Sequence, residues 1–213
     1  MNRLKPYHIK QLIFEGEGVS MDFKKTITSC SKIAKTLVAF ANNKGGRLLV
    51  GVADNGNIKG VRSEDEEKYM LTKAAHFFCR PALDLYFEEV YIDDKVILVA
   101  EVKESDMKPH YALGDDNKWW VYIRVKDKSL LASKIVVDVL KASSKDEGVL
   151  IEYSNKEQAL LEYLNTNERI TAREYSKMLN LSRRRAQRIL VNLVLSGIIR
   201  LHTTEKEEFY TAS

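Results

Sequence analysis

The segment FANNKGGRLLVGVADNGNIKGV, residues 40–61, constrains the fold more than any other stretch of the chain. The apolar side chains of residues 30–42 recur at helical spacing, and the pair Gly45-Gly46 follows them almost immediately. Residues 47–53 are then almost continuously apolar, which predicts a buried strand. We therefore expect a core helix that turns sharply into a central strand.

The glycine pair also raises the question of a phosphate-binding loop. Such a loop follows a strand, precedes a helix and ends in Gly-Lys-Ser or Gly-Lys-Thr. Here the order is reversed, because a helical pattern precedes Gly45-Gly46 and a strand pattern follows. The glycines therefore favour a tight connection over nucleotide binding.

The remaining patterns of this half predict further helices and strands. Asn55-Gly56 is typical of a two-residue hairpin turn with positive φ at both positions, and residues 58–61 would supply the returning strand. Further patterns predict a helix over residues 63–79, a hairpin of strands over 85–92 and 95–103, and a strand over 119–126. This irregular order predicts an α+β fold with a mixed sheet.

The composition excludes several classes of protein. The chain is 45% apolar and 30% charged, as soluble globular proteins are. It has no run of the roughly 18 apolar residues that a membrane helix needs, and its start lacks the apolar core of a signal peptide. We therefore expect a cytoplasmic protein without a membrane partner. Cys30 and Cys79 have no histidine at zinc spacing, which predicts buried thiols.

The length of 213 residues predicts two domains. Residues 143–155 are polar and separate segments of different pattern, so we place the first domain at 1–145 and the second at 150–213. The net charge is only +4, so attraction to a polyanion must depend on local clusters of basic residues.

Four separated blocks of the first domain resemble one known family. The blocks are Glu17 with Asp22-Phe23-Lys24, the segment 40–61, Lys108-Pro109-His110-Tyr111, and Trp120 through Arg124. Their order and spacing resemble the Schlafen AlbA-type domain over about residues 10–140. The resemblance implies an α+β fold and a nucleic-acid-binding surface, and it makes Lys24 a candidate contact.

The resemblance also implies an alternative function. Schlafen relatives that cleave RNA use three carboxylates, which fall here on Glu17, Asp22 and Asp54. Converging carboxylates can hold Mg²⁺ or Mn²⁺, which activates water for attack on a phosphate. The alternative is therefore a metal-dependent endoribonuclease acting on tRNA or another structured RNA. Asp22 is shorter than the glutamate usual in the family, and Asp54 suits a turn, so we expect a binding domain that is not an enzyme and needs no cofactor.

The strand predicted over residues 119–126 has one apolar face, formed by Val121, Ile123 and Val125. Arg124 and Lys126 alternate with these residues and would occupy the opposite face. We expect that opposite face to be accessible to a ligand.

The second domain carries the signals of three helices and a hairpin. Thr171 with Glu174 forms a capping box, and Ser182 caps the third helix. The predicted elements are helices over residues 156–166, from Thr171, and from Ser182 to Gly197, followed by strands over 198–202 and 208–210. This order predicts a winged helix-turn-helix domain similar to those of bacterial regulators.

The third helix begins with a dense basic cluster. Recognition helices enter the major groove at their N-terminal end, where Arg reads guanine and Gln reads adenine. The predicted nucleic-acid contacts are Ser182, Arg183, Arg184, Arg185, Gln187 and Arg188, with Lys206 of the wing on the backbone. We expect a transcriptional regulator that binds double-stranded DNA, in preference to a winged helix used for protein docking. A homodimer is expected because such regulators usually meet two half-sites.

Overall fold

The computed structural model describes residues 4–144 and 154–213, in two compact units, Met1–Ala132 and Ser133–Ser213. The polar stretch chosen as the domain boundary, residues 143–155, lies mostly outside the described residues. The first unit ends before the predicted position 145, because the helix Lys134–Ser143 groups with the second unit.

The first unit is a mixed α+β structure, which confirms the predicted fold class. Its elements are α1 (Pro6–Glu15), β1 (Met21–Lys24), α2 (Cys30–Asn42), β2 (Gly46–Val50), α3 (Glu64–Phe77), β3 (Cys79–Arg80), β4 (Leu85–Ile92), β5 (Lys95–Val102), β6 (Tyr111–Leu113), β7 (Trp119–Val125) and β8 (Lys128–Leu131). One sheet has the order β1-β2-β5-β4, with β1 parallel to β2 and the other pairs antiparallel. The other sheet, β3-β6-β7-β8, is antiparallel throughout.

Helix α2 forms the centre of the first unit. Ser29 caps it by accepting a hydrogen bond from the Lys32 backbone N–H, and most of its residues are buried on every side. Its apolar side chains pack in one core with residues of both sheets, including Leu98 of β5 and Ala112 of β6. A helix that is apolar around most of its circumference is stable only when it is covered in this way.

The two glycines after α2 allow the backbone to pass close to its neighbours. Gly45 has φ +78°, and a Cβ built on it would lie 2.6 Å from the Val102 carbonyl oxygen. A Cβ on Gly46 would overlap the Phe40 ring. The connection is therefore architectural, as the reversed order of helix and strand predicts.

The predicted Asn55-Gly56 turn is wrong in its detail. Gly56 has φ +80°, but Asn55 does not have positive φ. The Gly56 N–H donates to the Ala53 carbonyl (2.8 Å), and the Ala53 N–H donates to the Asn57 carbonyl (3.0 Å). This pattern is a three-residue loop with glycine at the bulge position. Past it, the predicted returning strand is reduced to a single bridge between Val52 and Ile58.

Two consecutive asparagines attach the second sheet to the end of α2. The Asn42 side chain donates to the carbonyls of His110 (3.0 Å) and Tyr122 (2.9 Å) and accepts from the His110 N–H (2.7 Å). Asn43 makes a matching pair of bonds with the backbone of Arg124, 3.0 and 3.2 Å long. Asn42 is 3% exposed, so its amide replaces water for three backbone groups.

The His110 side chain is buried and fully hydrogen-bonded. Its Nδ1 lies 2.9 Å from the Pro81 carbonyl oxygen, which can only accept, so Nδ1 carries the proton in the neutral ring. Its Nε2 then accepts from the Ser105 hydroxyl at 2.6 Å. Burial lowers the pKa of His110, and the nearby charge of Lys108 lowers it further.

The second unit is built on three helices and a hairpin, with one further helix preceding them. Its elements are α4 (Lys134–Ser143), α5 (Asn155–Thr166), α6 (Ala172–Met178), α7 (Arg183–Leu195), β9 (Ile199–Thr203) and β10 (Glu208–Ala212). The predicted capping box of Thr171 with Glu174 and the cap by Ser182 are both present. Backbone bonds between Ile170 and Tyr210, 3.0 and 2.8 Å long, attach the hairpin to the segment before α6.

The second unit has its own hydrophobic core, which includes Leu160, Tyr175, Leu190, Ile199 and Tyr210. Each helix and the hairpin contribute to it, so the unit has the contacts of an independent domain. Across the described parts of the chain, no helix is both long enough and apolar enough to cross a bilayer.

We expect Asn42→Ala to destabilise the first unit by about 3 kcal/mol or more, because each buried backbone group left without a partner costs about 1–3 kcal/mol. Urea unfolding followed by tryptophan fluorescence measures this, since Trp119 and Trp120, both in the first unit, are the two tryptophans of the chain. Asn57→Ala is the matched control, because Asn57 is exposed. Equal unfolding free energies of the two variants would contradict the role of the Asn42 side chain as the partner of three buried backbone groups.

The stability of the first unit should fall as the pH drops below about 6.5, the ordinary pKa of histidine. The folded-state pKa of His110 is lowered, so the unfolded chain binds the proton first and unfolding becomes easier. Above that pH the contribution of His110 is fully present. The measurement is the unfolding free energy between about pH 7.5 and 5.5. His76→Gln, which replaces an exposed histidine, is the control and should keep the wild-type slope, whereas His110→Gln should show a flatter slope.

Candidate nucleic-acid interface

Asp22, a predicted catalytic carboxylate, is a buried partner of two cations. It is 3% exposed, and its Oδ1 lies 2.7 Å from Nη2 of Arg124. Its Oδ2 lies 2.7 Å from Nζ of Lys24, an ion pair without hydrogen-bond alignment. Arg124 donates further to the carbonyls of Gly18 and Met21 at 2.9 and 3.0 Å. Both Asp22 oxygens are thus occupied by the protein's own positive groups.

The prediction that Arg124 lies on an accessible face is wrong, since it is 5% exposed. The polar residues of β7 alternate as predicted, but the face that carries Arg124 is turned towards α2, where the guanidinium lies 5.3 Å from the Phe40 ring centre. A strand in which apolar and polar residues alternate can be buried on both faces if the charged residue on the polar face has a buried counterion.

Lys24 is half-exposed, and its ammonium is engaged inside the first unit. Besides the pair with Asp22, its Nζ donates to the Phe23 carbonyl at 2.7 Å. A contact between Lys24 and nucleic acid stays a prediction, and it would require this ammonium to be shared with Asp22.

Glu17 and Asp54, the other two predicted catalytic carboxylates, line one cavity of about 430 Å³ together with Lys126 and Asp127. The Glu17 carboxylate accepts from the Phe23 N–H at 2.7 Å. Burial raises the pKa of Glu17, and the neighbouring Asp22 carboxylate raises it further. Asp54 itself is exposed in the loop before Gly56.

The described side chains show no ready-made site for a divalent cation shared by the three carboxylates. In residues 4–144 and 154–213, no group of three or more His, Cys, Asp or Glu side chains is arranged to hold a metal ion. A metal needs free carboxylate oxygens, whereas those of Asp22 already contact Arg124 and Lys24. The structure therefore brings Glu17 and Asp54 to one cavity, whereas Asp22, which neighbours Glu17, is buried between Arg124 and Lys24.

The predicted contacts of the second unit lie together on one surface of α7. Ser182, Arg183, Arg184, Arg185 and Arg188 are exposed, and Gln187 is half-buried. The opposite stripe, formed by Ala186, Ile189, Leu190 and Leu193, is buried in the core of the unit. Within the described residues, the four arginine side chains make no ion pair or hydrogen bond. They are held outward by the apolar stripe and remain available to a ligand.

Two concave surfaces flank the start of α7. The first, of about 620 Å³, is lined by Lys134, Asp138, Ser182, Arg184, Arg185, Gln187, Arg188 and Val191. The second, of about 610 Å³, is lined by Ser133, Lys134, Ile135, Thr171, Ala172, Arg173, Ser176, Arg183, Gln187, Glu207 and Glu208. Arginines of α7 line both surfaces, so the exposed face of this helix forms a basic ridge between two grooves.

The predicted wing contact, Lys206, is exposed in the turn between β9 and β10. Its neighbour Glu207 pairs with Arg169 at 2.7 Å. Glutamates on both sides of Lys206 in the sequence reduce the positive potential there, so the tip of the β9–β10 hairpin is less basic than the start of α7.

The sequence profile of a family described as Schlafen, AlbA_2 matches residues 17–133. The chain belongs to the Schlafen AlbA_2 family. The match covers more than half of the chain and ends at the beginning of the second unit.

Two solved structures are similar to the Schlafen AlbA_2 chain. The DIP2311 protein from Corynebacterium diphtheriae is 16% identical with a TM-score of 0.45, and the alignment covers 70% of this chain but 29% of DIP2311. The N-terminal domain of a RecG-related protein from Nitrosomonas europaea is 23% identical with a TM-score of 0.43, over 54% of this chain and 83% of that domain. No curated protein sequence matches the chain significantly.

The blocks by which the Schlafen AlbA_2 domain is recognisable serve largely to hold its two sheets together. Asn42, Asn43 and His110 connect α2 to the second sheet, and Asp22 pairs with Arg124. Sequence reasoning missed these internal roles. One signal was available, since each member of the ion pair lies between two large apolar residues, Asp22 in MDF and Arg124 in IRV.

Two charged residues of α4 line a groove beside α7 and are not among the predicted contacts. Lys134 and Asp138 belong to α4, which lines the larger groove opposite the arginines. Sequence reasoning missed them because the predicted first domain extends to residue 145 and so includes residues 134–143, although Ile135 and Val139 belong to the second core.

We expect Asp22→Ala to destabilise the Schlafen AlbA_2 domain by about 3–5 kcal/mol, because it leaves the Arg124 guanidinium buried without a counterion. The double variant Asp22→Ala/Arg124→Leu should lose less than the sum of the two single variants, because it removes both charges. Asp54→Ala should cost less than about 0.5 kcal/mol, since Asp54 is exposed. If the loss of unfolding free energy in the double variant equals the sum of the losses in the two single variants, measured in urea, the two residues are not coupled.

Proposed function

We propose that the chain is a DNA-binding transcriptional regulator whose second unit is a winged helix-turn-helix domain. The observation that carries the proposal is the set of four exposed arginines in the first half of α7, which have no ion-pair partner among the described residues. Membership of the Schlafen AlbA_2 family supports nucleic-acid binding by the first unit as well.

The order and packing of the second unit support a winged helix. Helices α5, α6 and α7 share one core with the hairpin β9–β10, and a short turn separates α6 from α7. In that turn Asn180 has φ +47°, and the Leu181 N–H donates to the Ser176 carbonyl at 2.8 Å. This turn fixes α7 relative to α6, as a recognition helix requires.

The charge of α7 also favours a polyanionic partner. The helix has no acidic residue, and its three consecutive arginines begin at its first position. Positive side chains at a helix N-terminus are opposed by the helix dipole at a cost of about 0.3–1 kcal/mol each. Phosphates or base edges bound there would remove this cost, whereas a solvated arginine face would not.

The chemistry of these side chains suits the major groove of duplex DNA. Arg183 and Arg184 can each donate two hydrogen bonds to O6 and N7 of guanine, and Gln187 can pair with N6 and N7 of adenine. Ser182 and Arg188 would lie at the same end of the helix, Arg185 would instead reach a phosphate, and Lys206 and Lys24 would add backbone contacts. A homodimer that meets two half-sites belongs to the same proposal.

We expect Arg183→Ala/Arg184→Ala to lose the preference for a specific DNA site. The site is first obtained by enriching a random duplex pool on the wild-type chain. In mobility-shift titrations at fixed salt, each lost arginine–guanine pair should cost about 1–3 kcal/mol on the enriched site. Lys10→Ala/Lys59→Ala, which removes the same charge from exposed positions of the first unit, is the control and should keep the preference.

Two outcomes would contradict the regulator. One is unchanged binding of the enriched site by the double arginine variant. The other is cleavage of tRNA in Mg²⁺ or Mn²⁺ that disappears in Asp54→Asn, which would favour the nuclease alternative. Asp54 is preferable to Asp22 for this experiment because it is exposed, so its replacement leaves the buried ion pair intact.

A further inference from the structure

We propose that α4 is a second nucleic-acid-binding helix of the C-terminal unit, with Lys134 contacting a phosphate and Asp138 limiting sequence-independent binding. The inference rests on the proposed DNA-binding function and extends it to a helix outside the winged-helix pattern. The partner is the sugar-phosphate backbone of a duplex whose bases are contacted by α7.

Lys134 is the basic residue that lines both grooves beside α7. It is exposed at the first position of α4, and within the described residues its ammonium has no ion pair. In the larger groove it faces the same space as Arg184, Arg185 and Arg188. A backbone strand that follows this groove would therefore meet positive charge from two helices.

The start of α4 is held in place by the rest of the second unit. The Ser133 hydroxyl caps the helix by accepting from the Val136 N–H at 3.3 Å and donates to the Glu208 carboxylate at 2.8 Å. The next residue after Lys134, Ile135, is 5% exposed and belongs to the core. The backbone that carries Lys134 is thus fixed before binding, so a contact there costs little ordering entropy.

Asp138 lies one helical turn after Lys134 and lines the same groove. It is half-buried, and within the described residues it makes no hydrogen bond or ion pair with the arginines. A carboxylate in a basic groove repels every phosphate equally, whatever the base sequence. Asp138 therefore lowers the affinity for random DNA and leaves the base contacts of α7 a larger share of the binding energy.

The test compares three variants of one helix in the full chain: Lys134→Ala, Asp138→Asn and Lys141→Ala. The probe is a random-sequence duplex of roughly 30 base pairs, titrated at several salt concentrations between about 50 and 200 mM. Lys134→Ala should reduce the slope of log affinity against log salt by about 0.9, the contribution of one phosphate contact. Lys141, exposed in the last turn and outside both grooves, is the matched control and should leave the slope unchanged.

Asp138→Asn should instead raise the affinity for the random duplex, and the gain should shrink as salt increases because screening weakens the repulsion. On the enriched site its gain should be no larger than on random DNA. Melting curves of the variants exclude unfolding as the cause of any change.

The proposal is overturned if Lys134→Ala keeps the wild-type slope, or if Lys141→Ala lowers it equally, since general charge would then explain the effect. A failure of this kind is distinguishable from failure of the DNA-binding function itself. If Arg183→Ala/Arg184→Ala abolishes site preference while all three α4 variants bind as wild type does, α7 binds DNA and α4 does not. Unchanged binding by the arginine variant would overturn both.

Discussion

The buried ion pair between Asp22 and Arg124 is the interaction on which the first unit depends most, because it joins the two sheets directly. Asp22 is in β1 of one sheet and Arg124 is in β7 of the other, and both are almost fully buried. Helix α2 fills the space between the sheets, so the pair and the asparagines at the helix end fix how the layers face each other. Charges buried in this way specify one arrangement, since any slip of either strand would leave one of them unpaired.

Much of the fold could be predicted because local patterns and tertiary packing agree. The apolar spacing of α2, the caps at Thr171 and Ser182 and the hairpin across Asp93-Asp94 all depend on residues that are close in sequence. The Asn55-Gly56 turn differs from the predicted two-residue turn because the same dipeptide also occurs in three-residue loops. Which loop forms depends on how the flanking residues pair.

The candidate sites were less predictable, because side chains of one type serve opposite roles. Arg124 is buried, whereas Arg183 and Arg184 are exposed, and the sequence around each distinguishes them only in part. Arg124 is a single charge among apolar residues and found its counterion in a strand distant in the sequence. Which acid is its partner depends on how two sheets pack, and no local pattern contains that information.

The same contrast explains how a chain of nearly balanced charge can present a basic surface. With 34 basic and 30 acidic residues, the net charge alone would attract a polyanion weakly. The described acids nearest in sequence to Arg183 are Glu174 and, beyond the other end of α7, Glu205, and Glu174 is committed to its capping box. Because α7 itself has no acidic residue, the carboxylates beside its arginines come from other elements. Asp138 of α4 lines the first groove, and Glu207 and Glu208 of the hairpin line the second. The strength of the positive field at the start of α7 is therefore set by the packing of α4 and the hairpin against α7 as much as by the arginines.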